Sequence, residues 1–199
     1  MALLDWISPD PGLRLEGHSV WLRPPRLGDY TAWSDLRRRS RAFLQPWEPT
    51  WPADDLSKAA YRRRLAAYQR DQDLGAGYSF VIFRKSDHDL VGGISLSNIR
   101  RGVAQMGTVG YWLGEPYARQ GYMLAATRAV TAFGLGRLGL HRLEAACLPE
   151  NDASRGLLER AGFTLEGKAA AYLKINGDWR DHLQFGLVAD AISRKGPIA

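Results

Sequence analysis

Residues 148–167, LPENDASRGLLERAGFTLEG, determine the fold, because they contain a strand end, a capped helix, a tight turn and the start of a new strand. Asn151 is predicted to cap the helix through its side-chain oxygen, and Ser154 lies one turn further along. The apolar stripe of the helix includes Leu158, and Gly162 ends the helix at a left-handed turn.

A second segment upstream also joins a strand to the start of a helix. The apolar strand 109–113 is followed by YARQGYM at 117–123, in which Gly121 makes a turn and a helix begins at Tyr122. Unpaired backbone N–H groups and the positive end of the helix dipole converge at such a helix start. The sequence therefore predicts an anion-binding site here.

In this order and at this separation, the two segments resemble the acetyl-CoA half of the GNAT family of N-acetyltransferases. In that family a Gln/Arg-x-x-Gly-x-Gly/Ala loop holds the CoA pyrophosphate; Gly121 matches the central glycine, while Ala118 and Met123 stand at the outer positions. The resemblance is closer to the ribosomal-protein-alanine N-acetyltransferases of the RimJ/RimL type. It covers about residues 15–188 and includes the segments 43–49, 97–102, 149–154, 162–167 and 176–182.

The order of predicted elements agrees with this resemblance. A strand at 20–23 and helices at 29–39 and 54–69 precede a meander of three strands at 78–83, 90–98 and 104–113. Between the two helices, the rigid, proline-rich segment 43–52 is predicted to be extended. A helix at 122–135, a strand at 142–148, a helix at 151–161 and a hairpin of 163–174 and 178–187 follow. We expect an α+β fold with a mixed, mostly antiparallel central sheet of about seven strands, flanked by helices on both faces, in a single domain over 1–199.

Composition limits the class of protein. The net charge is +6 with a pI near 9.7, which suits polyanionic partners such as CoA phosphates, a ribosome or RNA. The arginines at 37–39, 41 and 62–64 are predicted to form solvated helix faces in preference to a ribosome-docking patch. No apolar run reaches the ~20 residues of a membrane span and no signal peptide is visible, so we expect a cytoplasmic protein.

Cysteine and histidine usage argues against metal chemistry. Cys147 is the only cysteine, lies in an apolar strand, and is interpreted as a buried hydrophobe in preference to a reactive thiol. The four histidines show no paired spacing, so no metal site is expected.

The resemblance implies how acetyl-CoA is held as co-substrate. Backbone N–H groups of the turn would bind the pyrophosphate, and the strand 109–113 would splay from 142–148 and leave free N–H groups near Trp112 and Leu113. Asn151 would hydrogen-bond the pantetheine arm. The turn residues are Ala118, Arg119, Gln120, Gly121, Tyr122 and Met123.

The catalytic positions depart from the family pattern. The family's base carboxylate would fall on Ala146, so Glu144 and Glu48 are the candidates, either directly or through water. The family's tyrosine would fall on Leu158, and the Rim branch implies that Ser154 donates to the sulfur instead. A local capping bond is an equal alternative for Ser154.

The acceptor is predicted to lie against the segment 43–52, where Trp47 and Trp51 offer flat apolar faces. The leading hypothesis is acetylation of the N-terminal α-amine of alanine or serine on a ribosomal or other protein. One alternative is a small amine such as a polyamine, an antibiotic or an amino acid. A second is a catalytically weak ribosome- or nucleic-acid-binding module. The sequence leaves open a monomer or a homodimer.

Overall fold

The computed structural model describes residues 12–189 and contains an eight-stranded sheet in the order β1-β2-β3-β4-β5-β6-β8-β7. Every neighbouring pair is antiparallel except β5 and β6, which are parallel. The strands are β1 (Leu15–Glu16), β2 (Val20–Arg23), β3 (Tyr78–Arg84), β4 (Leu90–Arg100), β5 (Met106–Leu113), β6 (Arg142–Cys147), β7 (Thr164–Ile175) and β8 (Asp178–Val188). The predicted α+β class with a mostly antiparallel sheet is confirmed. The expected count of seven strands becomes eight because the two-residue β1 pairs with β2.

Helices cover both faces of the sheet, as predicted. They are α1 (Tyr30–Arg39), α2 (Arg41–Leu44), α3 (Lys58–Asp73), α4 (Tyr122–Ala132) and α5 (Asp152–Arg160). The alternation along β3 separates the two sides, since Phe80 and Ile82 pack in the cluster of α4 and α5, whereas Val81 and Phe83 pack in the cluster of α1 and α3. Each helix pair buries the apolar residues of one sheet face.

The segment 43–52 differs from its prediction. The chain forms α2 and then a 3-10 turn at Gln45–Trp47 instead of an extended loop. Pro46 lies in the first turn, where a helix needs no N–H from that residue, so the proline starts this turn instead of preventing it. The next helix starts at Lys58 and not at 54, because the Ser57 side chain caps it by accepting from the N–H of Ala60 at 3.0 Å.

The arginine clusters agree in part with the expected solvated faces, since Arg38, Arg39, Arg41, Arg62 and Arg63 are exposed, but Arg37 is an exception. Arg37 is buried and only 7% exposed, because it lies on the apolar stripe of α1 together with Trp33. Several neighbours form ion pairs within the chain: Arg38 with Asp35, Arg63 with Asp54, and Arg64 with Asp55.

Strand β7 forms one edge of the sheet and is exposed along most of its length. Its pairing with β8 is interrupted by two register shifts, between Leu165 and Gly167 and between Ala169 and Leu173. Ala171, in the second interruption, has a φ of 46°, and its N–H donates to Asp181 Oδ1 at 2.9 Å. The hairpin turns at 176–177, as predicted.

No helix between residues 12 and 189 is long and apolar enough to cross a membrane.

Candidate active site

The sheet opens between β5 and β6. These strands pair only over residues 106–108 and 142–144, after which β5 continues beside β4 and β6 beside β8. The N–H of Gly114 bonds to Val91 O on the β4 side at 2.9 Å. By strand alternation the Trp112 N–H also faces β4, and the Leu113 N–H faces the opening. The predicted splay is present, but the Trp112 amide points away from it.

The turn after β5 has the geometry of an anion site. Arg119 and Gly121 have φ values of 61° and 83°, so the backbone curls twice immediately before α4. Within the described residues no side chain caps α4 at Gly121, which leaves the first-turn N–H groups available. A Cβ added at Gly121 would meet nothing within 4 Å, so the left-handed φ, and not neighbouring protein atoms, favours glycine at this position.

The remaining predicted residues of this turn have distinct environments. Met123 is buried in the core, so only its backbone can face a ligand. Gln120 donates from Nε2 to Pro116 O at 2.8 Å. Ala118 is extended, and Tyr122 packs edge-on against Tyr117. The curled backbone of the turn is therefore the candidate binding surface for an anion.

The second segment places a hydroxyl pair on the other side of the opening. Asn151 caps α5 by accepting from the Ser154 N–H at 3.0 Å, as predicted. The Ser154 hydroxyl lies 2.6 Å from the Tyr111 hydroxyl, which comes from β5. Burial raises the pKa of Tyr111, so this phenol stays protonated at neutral pH. Leu158, where the family has a tyrosine, is fully buried in the core.

Cys147 lies beside this pair of hydroxyls, and its burial agrees with the prediction of a buried residue. It is free and 5% exposed. Burial raises the pKa of its thiol, and a hydrogen bond with Ser154 opposes that rise. The thiol is therefore protonated at neutral pH.

A pocket of about 170 Å³ lies on the opposite face of the sheet, between α3 and the central strands. Trp112 forms part of its floor, and its ring lies across Gly93, where an added Cβ would come within 2.5 Å of Trp112 Nε1. The pocket is lined by Pro25, Trp33, Glu48, Tyr61, Arg64, Tyr68, Ser79, Phe80, Val81, Gly93, Ile94, Ser95, Gly110, Tyr111 and Trp112. Tyr111 is among these residues, although its side chain packs in the cluster of α4 and α5 and its hydroxyl reaches Ser154.

Glu48 is the one carboxylate in this lining, and its oxygens are engaged. Arg37 donates to both of them at 2.8 Å, and Trp51 Nε1 donates to Oε2 at 2.7 Å. The Arg37 guanidinium lies between two indoles, 4.2 Å from the Trp51 ring centre and 5.0 Å from that of Trp112. This arrangement holds Glu48 as a fixed, charge-balanced group.

Trp47 and Trp51, which are predicted to face the acceptor, do not line this pocket. Trp51 stacks on Arg37 behind the pocket, and Trp47 is 37% exposed. The tip of the β7–β8 hairpin closes this side, because the Asn176 N–H donates to Glu48 O at 3.0 Å. The aromatic residues that line the pocket are Trp33, Tyr61, Tyr68, Phe80, Tyr111 and Trp112.

Glu144 is separate from the pocket. It accepts from Arg142 Nε at 3.1 Å, and Arg142 also binds Glu166. Arg142 holds the pKa of the Glu166 carboxyl below its usual value. The structure therefore brings Glu48, and not Glu144, to the candidate acceptor side.

Sequence reasoning missed Arg37 and Tyr111. The signal for Arg37 was present, since it follows Trp33 by four positions on the buried stripe of α1. No local pattern pointed to Tyr111, because its partner Ser154 is 43 residues away.

Comparison with known proteins agrees with this geometry. The family profile described as Acetyltransferase (GNAT) domain matches residues 19–164. The chain belongs to the GNAT family, and it is an N-acetyltransferase.

Its relatives include ribosomal-protein acetyltransferases. The chain is 35% identical over 168 residues to the probable N-acetyltransferase YjcK of Bacillus subtilis, covering 84% of this chain and 93% of that protein. It is 32% identical over 157 residues to the ribosomal protein uS5-alanine N-acetyltransferase of Escherichia coli, covering 78% and 81%. The solved structure of Mycobacterium smegmatis RimJ in complex with CoA-disulfide matches with a TM-score of 0.86 at 29% identity, covering 93% and 91%.

Proposed function

We propose that this N-acetyltransferase transfers the acetyl group of acetyl-CoA to the N-terminal α-amine of an alanine or serine on a ribosomal or other protein. The observation that carries the proposal is the charge balance of the pocket, in which Glu48 is already paired with Arg37. The similarity to the uS5-alanine N-acetyltransferase supports the same acceptor class.

The fit to acetyl-CoA rests on the turn and the opening. A helix start with free N–H groups and a left-handed glycine are both suited to binding a pyrophosphate. The curled turn at Arg119 and Gly121 has both features. The opening between β5 and β6 leaves strand edges for the amides of the pantetheine arm. In this proposal the Leu113 N–H donates to the thioester oxygen, a contact worth ~3 kcal/mol in comparable oxyanion sites.

The acceptor side favours a small, weakly charged terminus over a polycation. A polyamine would need several uncompensated carboxylates, whereas the pocket lining has Glu48 and also contains Arg64. Arg64 is paired with Asp55 at 2.7 Å, so no surplus negative charge remains there. Aromatic walls and the hydroxyls of Ser79 and Ser95 fit a short peptide end.

An α-amine also reduces the need for a base. With a pKa of about 7.7–8.0, roughly a tenth of an α-amine is neutral at pH 7, against roughly one in 2,500 for a lysine side chain of pKa about 10.4. Positioning can then supply most of the rate. The neutral nitrogen attacks the acetyl carbonyl carbon, and the C–S bond breaks with its electron pair on sulfur, which Ser154 stabilises. The proton that the nitrogen loses passes through water to the thiolate.

A competition experiment tests the acceptor. The protein is incubated with acetyl-CoA, peptides that begin with alanine or serine, an α-blocked peptide with an internal lysine, and spermidine, and products are identified by mass spectrometry. We expect acetyl on the free α-amines. Acetyl on spermidine alone would move the protein to the small-amine class, and binding without transfer to any acceptor would support the non-catalytic alternative.

A further inference from the structure

The family's tyrosine position is occupied by Leu158, yet a tyrosine hydroxyl still reaches the place beside Ser154. The Tyr111 hydroxyl lies 2.6 Å from the Ser154 hydroxyl and arrives from strand β5 instead of helix α5. Tyr111 packs against the core that also contains Leu158. The two chain segments thus converge where β5 and β6 separate.

The hydrogen-bonding capacities of the two hydroxyls determine which of them donates to the other. Tyr111 has one proton, and within residues 12–189 Ser154 is the hydrogen-bond partner of its hydroxyl. A hydroxyl packed against a core donates its proton where a partner exists, because leaving it unpaired costs free energy. Ser154 Oγ then accepts from Tyr111, and the Ser154 proton is turned away from Tyr111.

Two sulfur atoms are candidate acceptors for the Ser154 proton. One is Cys147 Sγ, which is a weak acceptor as a neutral thiol. The other is the sulfur of CoA, if the pantetheine arm occupies the opening as in the proposed function. A sulfur that gains negative charge as its C–S bond breaks is the stronger acceptor.

We propose that Tyr111 is a positioning residue that donates to Ser154 Oγ and thereby aims the Ser154 proton at the departing sulfur of CoA. The N–C bond forms and the C–S bond breaks, the electron pair goes to sulfur, and water carries the proton lost by the amine to the thiolate. Tyr111 keeps its own proton throughout. This inference rests on the proposed use of acetyl-CoA and adds a residue that neither the family pattern nor the sequence indicates.

Two variants and their combination test the inference by kinetics. Ser154→Ala is expected to lower kcat by about 100-fold and Tyr111→Phe by about 10-fold, with little change in the KM for acetyl-CoA. The double variant should be no slower than Ser154→Ala, because Tyr111 acts only through Ser154. Tyr78→Phe is the matched control, since Tyr78 packs edge-on against Phe133 away from the opening and should retain its activity.

A second measurement requires no acceptor and so separates this inference from the proposed function. The ultraviolet absorbance of the thiolate gives the pKa of the CoA thiol when CoA is bound. The wild-type protein should lower this pKa relative to free CoA, and Tyr111→Phe and Ser154→Ala should each reduce that effect. A Tyr111→Phe protein with normal kcat and the wild-type thiol pKa would overturn the inference, as would losses that add in the double variant.

Discussion

Replacing Glu48 with glutamine tests whether this carboxylate mainly holds the acceptor segment in place. The substitution keeps the shape of the side chain and removes its charge, while Arg37 stays buried. The side chains of Arg37 and Glu48 are 8% and 20% exposed, so water screens the pair weakly. Asp55 Oδ2, 3.9 Å from Arg37, compensates the remaining charge in part.

The burial of the pair sets the expected loss in the free energy of unfolding. Removing one partner of a fully buried ion pair costs about 3–5 kcal/mol, and the partial exposure of Glu48 with the nearby Asp55 reduces our expectation to about 2–3 kcal/mol. For a chain of this size each kcal/mol lowers Tm by about 2–4 °C, so Tm should fall by about 4–12 °C. Acceptor KM should rise because the segment that carries Glu48 loosens, and kcat should fall by less than about 10-fold.

Asp35→Asn is the matched control. It removes a carboxylate from another ion pair of α1, with Arg38, in which the side chains are 53% and 60% exposed. Such an exposed pair contributes at most about 1 kcal/mol, so Tm should change by less than about 4 °C. Thermal unfolding by circular dichroism and steady-state kinetics measure both variants. An unchanged Tm in Glu48→Gln together with a loss in kcat of about 100-fold or more would refute a structural role and identify Glu48 as a base.

Three further outcomes are expected. Gly121→Glu should weaken acetyl-CoA binding, measured by calorimetry, by about 10- to 100-fold through charge repulsion. The control Gly75→Glu, at another positive-φ glycine with open space, should lose similar stability and keep the wild-type affinity. Equal affinities of the Gly121→Glu and wild-type proteins would remove the pyrophosphate site from this turn. Asn151→Ala should lower the free energy of unfolding by about 1 kcal/mol, measured by urea titration, and an unchanged midpoint would contradict the capping bond. Trp47 lies outside the pocket lining, so Trp47→Ala tests whether the acceptor extends beyond the pocket: we expect a few-fold rise in the acceptor KM with unchanged CoA affinity, and an unchanged KM would confine the acceptor to the pocket.

The features that could be predicted from the sequence depend on neighbouring residues. The cap at Asn151, the glycine turn at Gly121 and the hairpin turn at 176–177 each depend on a few consecutive residues, and the structure has all three. Sequence patterning located seven of the eight strands, whereas the two-residue β1 is too short to show a period.

The features that could not be predicted depend on contacts between distant segments. Whether Arg37 was buried or solvated depended on a carboxylate 11 residues away and on two tryptophans from other elements. The three prolines of the 43–52 segment favoured an extended chain by composition, although Pro46 at the start of a 3-10 turn is equally compatible with the fixed φ of proline. The Tyr111–Ser154 contact required knowing that β5 and α5 meet at the opening.

The interrupted edge strand β7 has a consequence for the behaviour of the protein in concentrated solution. A long exposed edge presents free N–H and C=O groups on which a strand of another molecule can grow, and this is a common start of aggregation. The register shifts divide the pairing of β7 with β8 into three runs of two or three residues. The left-handed Ala171 bends the backbone within the second interruption, and Lys168 and Lys174 add charge along the strand. These interruptions leave no long, regular run along the edge, so β7 is a poor template for a foreign strand although it is exposed along most of its length.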